Sequence, residues 1–228
     1  MTPTAEALLE LARLSLALGR TNRITRDELG NLESVATHTV GLAWVACSLA
    51  GLWPEWLDRG EVAMAALVHD APECVCGDTP TLRISAQERA AKAERETAAL
   101  EEIKRRLGIP FVPWARWLQD GIRDYEVAKE GGPWPTTAQM IAEYGLKKIV
   151  AVRFVRAVDK LMPKFTHLLN GGTTLREAGI DHAELKALLD RQREELRASL
   201  PWQVAYGLAE IQRELSELTL ALPLEPKQ

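Results

Sequence analysis

Long apolar runs and a strong excess of one charge are both missing from this sequence of 228 residues. No run reaches the roughly 18–20 apolar residues that a membrane-spanning helix needs. Glu6, Glu10 and Arg13 interrupt the apolar pattern near the N-terminus, unlike the centre of a secretory signal. The 28 basic and 32 acidic residues leave a net charge of −4, which argues against a generally basic nucleic-acid-binding surface. We therefore expect a cytoplasmic protein with no membrane partner and no extended nucleic-acid partner.

Cysteine and histidine are also scarce. The three cysteines, Cys47, Cys74 and Cys76, include one C-x-C pair and no second pair, so they lack the spacing of a structural zinc site. Free thiols, buried or half-buried, are the expectation for all three. Only four histidines are present, so the place of each one in the sequence is informative.

Strict alternation of apolar and polar residues is absent too, and helical spacing dominates. Apolar residues make up 46% of the chain, enough to build a core at this length. The pattern predicts helices over residues 8–18, 34–52, 59–68, 85–107, 114–129, 136–169, 181–200 and 204–222. We interpret residues 20–31 as a loop and residues 69–81 as a turn-rich stretch. The expected fold class is all-α with no sheet: a core over residues 1–170, and a C-terminal helical extension over residues 171–228 packed on the same domain.

Histidine and aspartate are adjacent at the end of an apolar predicted helix, at His69 and Asp70. His38 and Asp159 also lie among apolar residues in predicted helices. Buried polar groups are costly unless they are paired or bind a cation. Two imidazoles and two carboxylates suit one divalent ion, such as Mn, Fe, Co, Ni or Zn, and Mg less well. Four such ligands leave open positions for water and a substrate oxygen, the arrangement of metal-assisted hydrolysis.

These residues resemble the H…HD…D signature of the HD-domain phosphohydrolases. Residues 69–81 read His-Asp-Ala-Pro-Glu-Cys-Val-Cys-Gly-Asp-Thr-Pro-Thr, which is similar to the H-D-x-x-E-x-x-x-G-D-x-P-T block of the YfbR-type 5′-deoxynucleotidases. The sequence Ala-Thr-His-Thr at residues 36–39 resembles a segment that opens the second helix of that family. The resemblance covers roughly residues 8–170, and it implies an HD-domain helical bundle with additional C-terminal helices.

The resemblance implies a role for each matching residue. The metal ligands would be His38, His69, Asp70 and Asp159, all on one divalent ion. Glu73 would orient or deprotonate the attacking water, and Asp78 would contact the sugar or help to protonate the leaving oxygen. Thr81 would lie at the rim of the pocket.

Relatives of this kind usually hold the phosphate with an arginine between the first two helices. Arg20 is the first choice here, with Arg23 and Arg26 as competitors; a guanidinium suits the role because its fork is bidentate toward phosphate. The aromatic residue expected after that arginine is absent, since Thr21-Asn22-Arg23 follows Arg20. Lys160 either reaches the phosphate or pairs with a surface carboxylate.

The other histidines and the seven tryptophans have two interpretations each. His167 is interpreted as a half-buried histidine with its hydrogen bonds satisfied, and lining the far side of the pocket is the alternative. His182 is expected at the surface. The tryptophans are interpreted as core or interface residues rather than as a platform for a nucleobase. The ones with the clearest positions in the sequence are Trp44, Trp53, Trp56, Trp114, Trp117 and Trp134, of which the last three are the candidates for base stacking.

Three functions are compatible with this sequence. The first is a metal-dependent 5′-deoxynucleotidase, which converts a deoxynucleoside monophosphate to the nucleoside and phosphate. The second is a deoxynucleoside triphosphate triphosphohydrolase, which needs further cations along the phosphate chain; the candidates are Lys92, Arg95, Lys147, Lys148 and Lys160. The third is a non-catalytic nucleotide sensor, which would be marked by the loss of a ligand or of Glu73. Related proteins are often dimers, so the resemblance also allows a homodimer.

Overall fold

A computed structural model describes residues 5–108, 141–142 and 145–224 of the chain. The predicted helix over residues 114–129 lies outside the described residues, as do Trp114, Trp117 and Trp134. Within the described part, the helices confirm the expected all-α class. They are α1 (Ala5–Arg20), α2 (Val35–Ala50), α3 (Arg59–Val68), α4 (Glu73–Cys76), α5 (Ala86–Leu107), α6 (Leu146–Asp159), α7 (Met162–Leu169), α8 (Thr173–Glu177), α9 (His182–Ser199) and α10 (Trp202–Leu220). None of them combines the length and apolar character that crossing a bilayer requires.

Side-chain caps begin several of these helices where the sequence pattern predicts a start. Ser34 accepts a hydrogen bond from the Thr37 backbone at the start of α2. Ser85 forms a reciprocal capping box with Glu88 on α5, and Asp181 caps α9 in the same way. A cap of this kind satisfies backbone N–H groups that the first helical turn leaves without a partner.

The helical run predicted over residues 136–169 is interrupted after Asp159 in the structure. Helix α6 ends at Asp159 and α7 begins at Met162, with Pro163 in its first turn. Proline has no N–H to donate to the carbonyl four residues earlier, which here belongs to Asp159, and its ring clashes with that carbonyl. The break leaves Asp159 half-buried at the end of α6.

The prediction that residues 20–31 form a loop, and that the chain has no sheet, was wrong. Strands β1 (Asn22–Arg26) and β2 (Leu32–Ser34) form an antiparallel hairpin. In the turn between them, Asp27 accepts hydrogen bonds from the backbone of Leu29 and Asn31. Alternate residues of a strand point to the same side, so this hairpin decides which arginine faces the interior.

The core is built around α6, whose residues from Ile149 to Val158 are buried except for Arg156. Helices α2 and α3 pack against it and against each other. Leu196, Leu200 and Leu208 from α9 and α10 and the segment between them belong to the same apolar cluster. The C-terminal helices therefore contribute to the main core, while the boundary at residue 170 stays a prediction.

The cysteines confirm the expectation of free thiols, since all three are unbonded to one another and half-buried. Burial raises the pKa of the Cys74 thiol to about 11, although Arg106 nearby opposes the shift. Thiols of this kind are protonated near neutral pH and are poor nucleophiles.

Gly207 on α10 lies directly beneath the Trp53 ring. An added Cβ would be 2.3 Å from the Trp53 Cζ2 atom, while the ring also meets Phe154 edge-on with centroids 6.1 Å apart.

We expect Gly207→Ala to lower the free energy of unfolding by about 1–3 kcal/mol through overpacking, measured by chemical denaturation. Gly19→Ala is the matched control, because nothing lies within 4 Å of its Cβ position; equal losses in both variants would contradict the packing argument.

Candidate metal centre

Three side chains from distant parts of the chain meet at one end of the core. They are His38 from α2, His69 directly after α3 and Asp159 at the end of α6, and their ligand atoms all lie within 4.8 Å of one another. His38 Nε2 is 2.9 Å from Asp159 Oδ1, and His69 Nε2 is 4.0 Å from the same oxygen. Both imidazoles are buried. The structure thus brings together three of the four predicted metal ligands in one cluster.

Asp70, the fourth predicted ligand, lies at the edge of this cluster. Its Oδ2 atom is 2.9 Å from His69 Nε2 and 4.0 Å from His38 Nε2. The same oxygen accepts a hydrogen bond of 2.9 Å from Arg23 Nη1. Arg23 on β1 therefore fixes the orientation of the Asp70 carboxylate toward the two imidazoles.

The donor set fits a divalent cation. His69 Nδ1 is 2.7 Å from the Ala66 carbonyl oxygen, which can only accept, so Nδ1 carries a proton. The Nε2 atom of a neutral His69 then presents its lone pair to the cluster, as in many metal sites whose second ring nitrogen bonds a backbone carbonyl. Imidazole nitrogens with carboxylate oxygens suit Mn, Fe, Co, Ni or Zn.

The charges of the cluster depend strongly on one another. Burial lowers the pKa of His69, but the carboxylates of Asp70 and Asp159 outweigh burial and raise it to about 9. Burial disfavours the charged form of Asp70, yet His69 and Arg23 hold the pKa of that carboxyl well below its usual range. The pKa of Asp159 is also lowered, against burial, by its hydrogen bond to His38. The carboxylates of Asp70 and Asp159 therefore favour a positive charge at the centre of the cluster.

Glu73, the predicted catalytic carboxylate, is the first residue of α4 and is 2% exposed. Its Oε1 atom is 3.6 Å from Lys92 Nζ, and its Oε2 atom has no hydrogen-bond partner among the described residues. Burial, followed by the charges of Asp70 and Asp78, raises the pKa of Glu73 to about 9 despite Lys92. One carboxylate oxygen is thus buried next to the cluster and available to a small molecule.

A cavity of about 120 Å³ reaches Asp70 at the edge of this cluster, while His38, His69 and Asp159 do not line it. Of the predicted functional residues, its wall includes Arg23, Asp70, Glu73, Asp78, Thr81 and Lys160. Asp78 is half-buried and Thr81 is exposed, as expected of a rim residue. The cavity thus brings Asp70 together with both predicted catalytic carboxylates.

The structure distinguishes the three arginines that the sequence left open. Arg20 is exposed at the end of α1 and does not line the cavity in the described part of the chain. Arg26 forms an ion pair of 2.5 Å with Glu177 and donates to the Gly30 carbonyl. Arg23 lines the cavity and is half-buried. The hairpin places Arg23 and Thr25 on the same side of β1, because residues two apart share one side of a strand.

Of the five basic residues proposed for a longer phosphate chain, some line the cavity and others do not. Lys92 and Lys160 line the cavity, and Lys160 forms an ion pair with Glu195 on α9. Arg95 donates to Thr79 Oγ1, and Lys147 donates to the Pro54 carbonyl. Within the described ranges, Arg95, Lys147 and Lys148 do not line this cavity.

The remaining histidines differ from each other in burial. His182 is exposed at the start of α9, which confirms the expectation. His167 on α7 is 4% exposed, and its Nδ1 atom has no hydrogen-bond partner in the described part of the chain. The interpretation of His167 as a satisfied histidine was wrong, and the alternative, a place in the cavity wall, is what the structure shows.

The described tryptophans divide between core and surface. Trp53 and Trp56 pack against the main apolar cluster, in agreement with the interpretation as core residues. Trp44 is 76% exposed on α2, and none of the three lines the cavity within the described residues.

Sequence reasoning missed a second group of cavity residues. Lys164 on α7 and Gln192 on α9 line the cavity together with three leucines of α9. One signal was available, because Lys164 and His167 are three residues apart and therefore share one side of a helix. The leucines had no comparable signal, since their spacing is that of any amphipathic helix.

Comparisons with known proteins place the chain in a family. A family model described as HD domain matches residues 17–200. No curated protein matches the chain. The crystal structure of a predicted metal-dependent phosphohydrolase from Magnetospirillum magnetotacticum MS-1 is similar, with a TM-score of 0.58 and 21% sequence identity over 95% of this chain and 97% of that one. At this identity the likeness concerns the fold alone, whereas the family model covers most of the sequence; the chain belongs to the HD domain family.

Proposed function

We propose that the protein is a metal-dependent phosphohydrolase that acts on nucleotides, most specifically a 5′-deoxynucleotidase. The observation that carries this proposal is the cluster of His38, His69 and Asp159, whose neighbour Asp70 lines a cavity together with Glu73 and Arg23. Membership of the HD domain family and the fold shared with a predicted metal-dependent phosphohydrolase support the general activity. The substrate class rests on the resemblance of residues 69–81 to the 5′-deoxynucleotidases.

The residues of the chain divide the chemistry among them. A divalent ion held by His38, His69, Asp70 and Asp159 would supply Lewis-acid polarisation of a phosphoryl oxygen. Arg23 binds phosphate oxygens through its planar fork, and its bond to Asp70 holds that fork in place. These contacts hold the phosphorus near Glu73, as hydrolysis requires.

Water is the second substrate. In its ionised form Glu73 orients the attacking water and accepts one of its protons as the new bond from oxygen to phosphorus forms. A divalent ion held nearby would favour that form against the raised pKa of Glu73. The bond from phosphorus to the ester oxygen then breaks, and the leaving oxygen takes up a proton from Asp78, which lines the same cavity. The products are the free alcohol and inorganic phosphate.

A triphosphate substrate is the alternative. A longer phosphate chain needs several cations around it, and only Lys92 and Lys160 of the five candidates line the cavity in the described residues. Lys160 is also paired with Glu195, and Lys92 with Glu73 and Glu96. This arrangement favours a single phosphate group. The sensor alternative has no support in the ligand set, because every predicted ligand and Glu73 is retained.

A substrate screen tests the proposed function. Purified protein is supplied with Mn, Co, Fe, Ni, Zn or Mg and incubated with deoxy- and ribonucleoside mono- and triphosphates. Release of inorganic phosphate from monophosphates supports the proposal, while release of tripolyphosphate from triphosphates supports the alternative. If no nucleotide is hydrolysed with any of these metals, the proposed function is wrong.

Arg23→Ala is expected to raise KM for a phosphate ester by about tenfold to a hundredfold. The reason is the loss of hydrogen bonds from a charged donor, each of which contributes about 1.5–3 kcal/mol. Steady-state kinetics gives KM, and metal analysis checks that the loosened Asp70 has not released the ion. Arg20→Ala is the matched control, because Arg20 is exposed and outside the cavity wall; a larger effect at Arg20 would show that the wrong arginine has been chosen.

A further inference from the structure

The cavity extends beyond the residues of the metal centre. Its wall there is formed by α7 and α9, and Thr219 of α10 contributes to it. We call this part the inner chamber and define it by Lys164, His167, Leu185, Leu188, Leu189 and Gln192. None of these residues has a part in the proposed chemistry, and four of them come from a helix to which the resemblance does not extend.

Two polar side chains of the inner chamber are almost completely buried. Lys164 is 2% exposed and donates to the Lys160 carbonyl at 3.0 Å and to Gln192 Oε1 at 2.6 Å. An ammonium group has three N–H donors, so one remains for a further acceptor. Burial, with a contribution from Lys160, lowers the pKa of Lys164 to about 7. The chamber therefore holds a donor whose positive charge is weakly maintained at neutral pH.

His167 contributes a second polar group. Its Nδ1 atom is buried in the cavity wall and has no hydrogen-bond partner among the described residues. Burial, with a contribution from Lys164, lowers the pKa of His167 to about 4, so the ring is neutral near pH 7. A neutral imidazole has one donor and one acceptor nitrogen. A buried nitrogen of this kind is normally satisfied by a partner, and the cavity is where that partner fits.

Part of the chamber wall is apolar. Leu185, Leu188 and Leu189 follow one another at helical spacing on α9 and all line the cavity. Apolar walls with a few polar groups are typical of sites for uncharged ligands of moderate size. A second or third phosphate group would lose its hydration against these leucines. A buried anion needs a fixed positive charge to offset that loss, and the leucines supply none.

We propose that the inner chamber binds the uncharged leaving-group end of the substrate, a planar nitrogen heterocycle such as a nucleobase, with His167 and Lys164 as its hydrogen-bonding groups. This inference rests on the proposed function of the metal centre. The phosphate then lies near Arg23 and Glu73, and the three leucines contact the face of the heterocycle. The chamber thereby distinguishes monophosphate esters of a nucleoside from small phosphate esters and from polyphosphates.

Filling the chamber is the first test. Leu188→Trp places a large ring in the chamber wall, and kcat/KM is measured for deoxynucleoside monophosphates and for acetyl phosphate, whose leaving group is small. We expect the loss for the nucleotides to exceed the loss for acetyl phosphate by about tenfold or more, because the heterocycle and the new ring compete for one space. Leu218→Trp is the matched control on α10, since Leu218 is 56% exposed, and it should leave both substrates unchanged.

His167→Phe is the second test and keeps the ring volume while it removes both nitrogens. We expect about a tenfold or larger loss in kcat/KM for the nucleotides, and a change in the preference among the four bases, because a site that hydrogen-bonds its substrate discriminates through those bonds. Circular dichroism verifies that both variants are folded. If His167→Phe is folded and leaves the nucleotide to acetyl phosphate ratio and the base preference unchanged, the proposal is overturned.

Equilibrium dialysis with deoxynucleoside monophosphates separates this inference from the proposed function. If the wild-type protein hydrolyses no phosphate ester but binds these nucleotides, and His167→Phe weakens binding about tenfold, the chamber is supported and the hydrolase function fails. If the wild-type protein hydrolyses them and the folded variant alters neither binding nor specificity, the function is supported and the chamber is wrong. If the wild-type protein neither binds nor hydrolyses them, both are wrong.

Discussion

Asp159→Asn is expected to release the bound metal and to lower kcat/KM by about a thousandfold. The change keeps the size of the side chain and its ability to bond His38 Nε2, so the fold should be preserved. It removes a full negative charge from the centre of the donor set, and Lewis-acid catalysis contributes several kcal/mol to reactions of this class. Elemental analysis of the purified protein and steady-state kinetics give the two readouts.

Asp190→Asn is the matched control for this substitution. Asp190 lies on α9 and pairs with Lys186 near the surface, so its replacement should change neither metal content nor rate. If Asp159→Asn retains a full complement of metal and normal activity, the cluster of His38, His69 and Asp159 is not the metal centre.

Glu73→Gln is expected to lower kcat by about a hundredfold to ten-thousandfold while the metal content stays the same. A general base contributes a factor of this size, and glutamine keeps the shape of the side chain but cannot accept the proton of water. Glu96→Gln is the control, because Glu96 also pairs with Lys92, at 3.3 Å, but does not line the cavity within the described residues. Normal activity in Glu73→Gln would remove Glu73 from the mechanism.

The same substitution has a second readout in the metal-free protein. Burial raises the pKa of Glu73 to about 9, above the value of about 4.3 for an unfolded chain. When the pKa of a carboxyl group is higher in the folded protein than in the unfolded chain, the group lowers the free energy of unfolding. This loss grows as the pH rises from the pKa of the unfolded chain toward the pKa of the folded protein. After a chelator has removed any metal, the Glu73→Gln protein should therefore have a higher free energy of unfolding than the wild-type protein at pH 8 but not at pH 4. Urea denaturation measures both values. An equal difference at both pH values would contradict this burial effect.

The cluster of candidate metal ligands could be predicted from the sequence because polar groups on apolar helices must be paired or bound. His38, His69 and Asp159 each stand among apolar neighbours, and the structure brings these three together. Helix starts at Ser34, Ser85 and Asp181 were also predictable, since each of these residues is a strong N-cap. Such signals are local or follow from burial, and both kinds can be recognised in one sequence.

The hairpin was harder to predict because its strands are short and polar. Asn22–Arg26 contains two arginines and an asparagine, and Thr25 is its single buried residue. Pairing across the turn, rather than any strand preference of these residues, makes the strand. Which of Arg20, Arg23 and Arg26 lines the cavity depends on that pairing, so the sequence alone could not show it.

The inner chamber depends on tertiary structure even more. Lys164 and Gln192 are 28 residues apart and meet through a hydrogen bond between α7 and α9. A lysine on a predicted helix is interpreted as solvent-exposed unless its neighbours in space are known. Its burial follows from tertiary packing, in which α10 contacts both α7 and α9, and that geometry has no signature in the separate segments.

The separation of the ligands along the chain has a consequence for protein synthesis. His38 and Asp159 are 121 residues apart, and α6, which carries Asp159, is the central helix of the core. A growing chain that has not yet completed α6 can offer two imidazoles and Asp70, but not the closed donor set. The proposed centre can therefore be assembled only after most of the chain has been synthesised, so binding of an ion there would be a late event that accompanies final folding rather than one that guides its start.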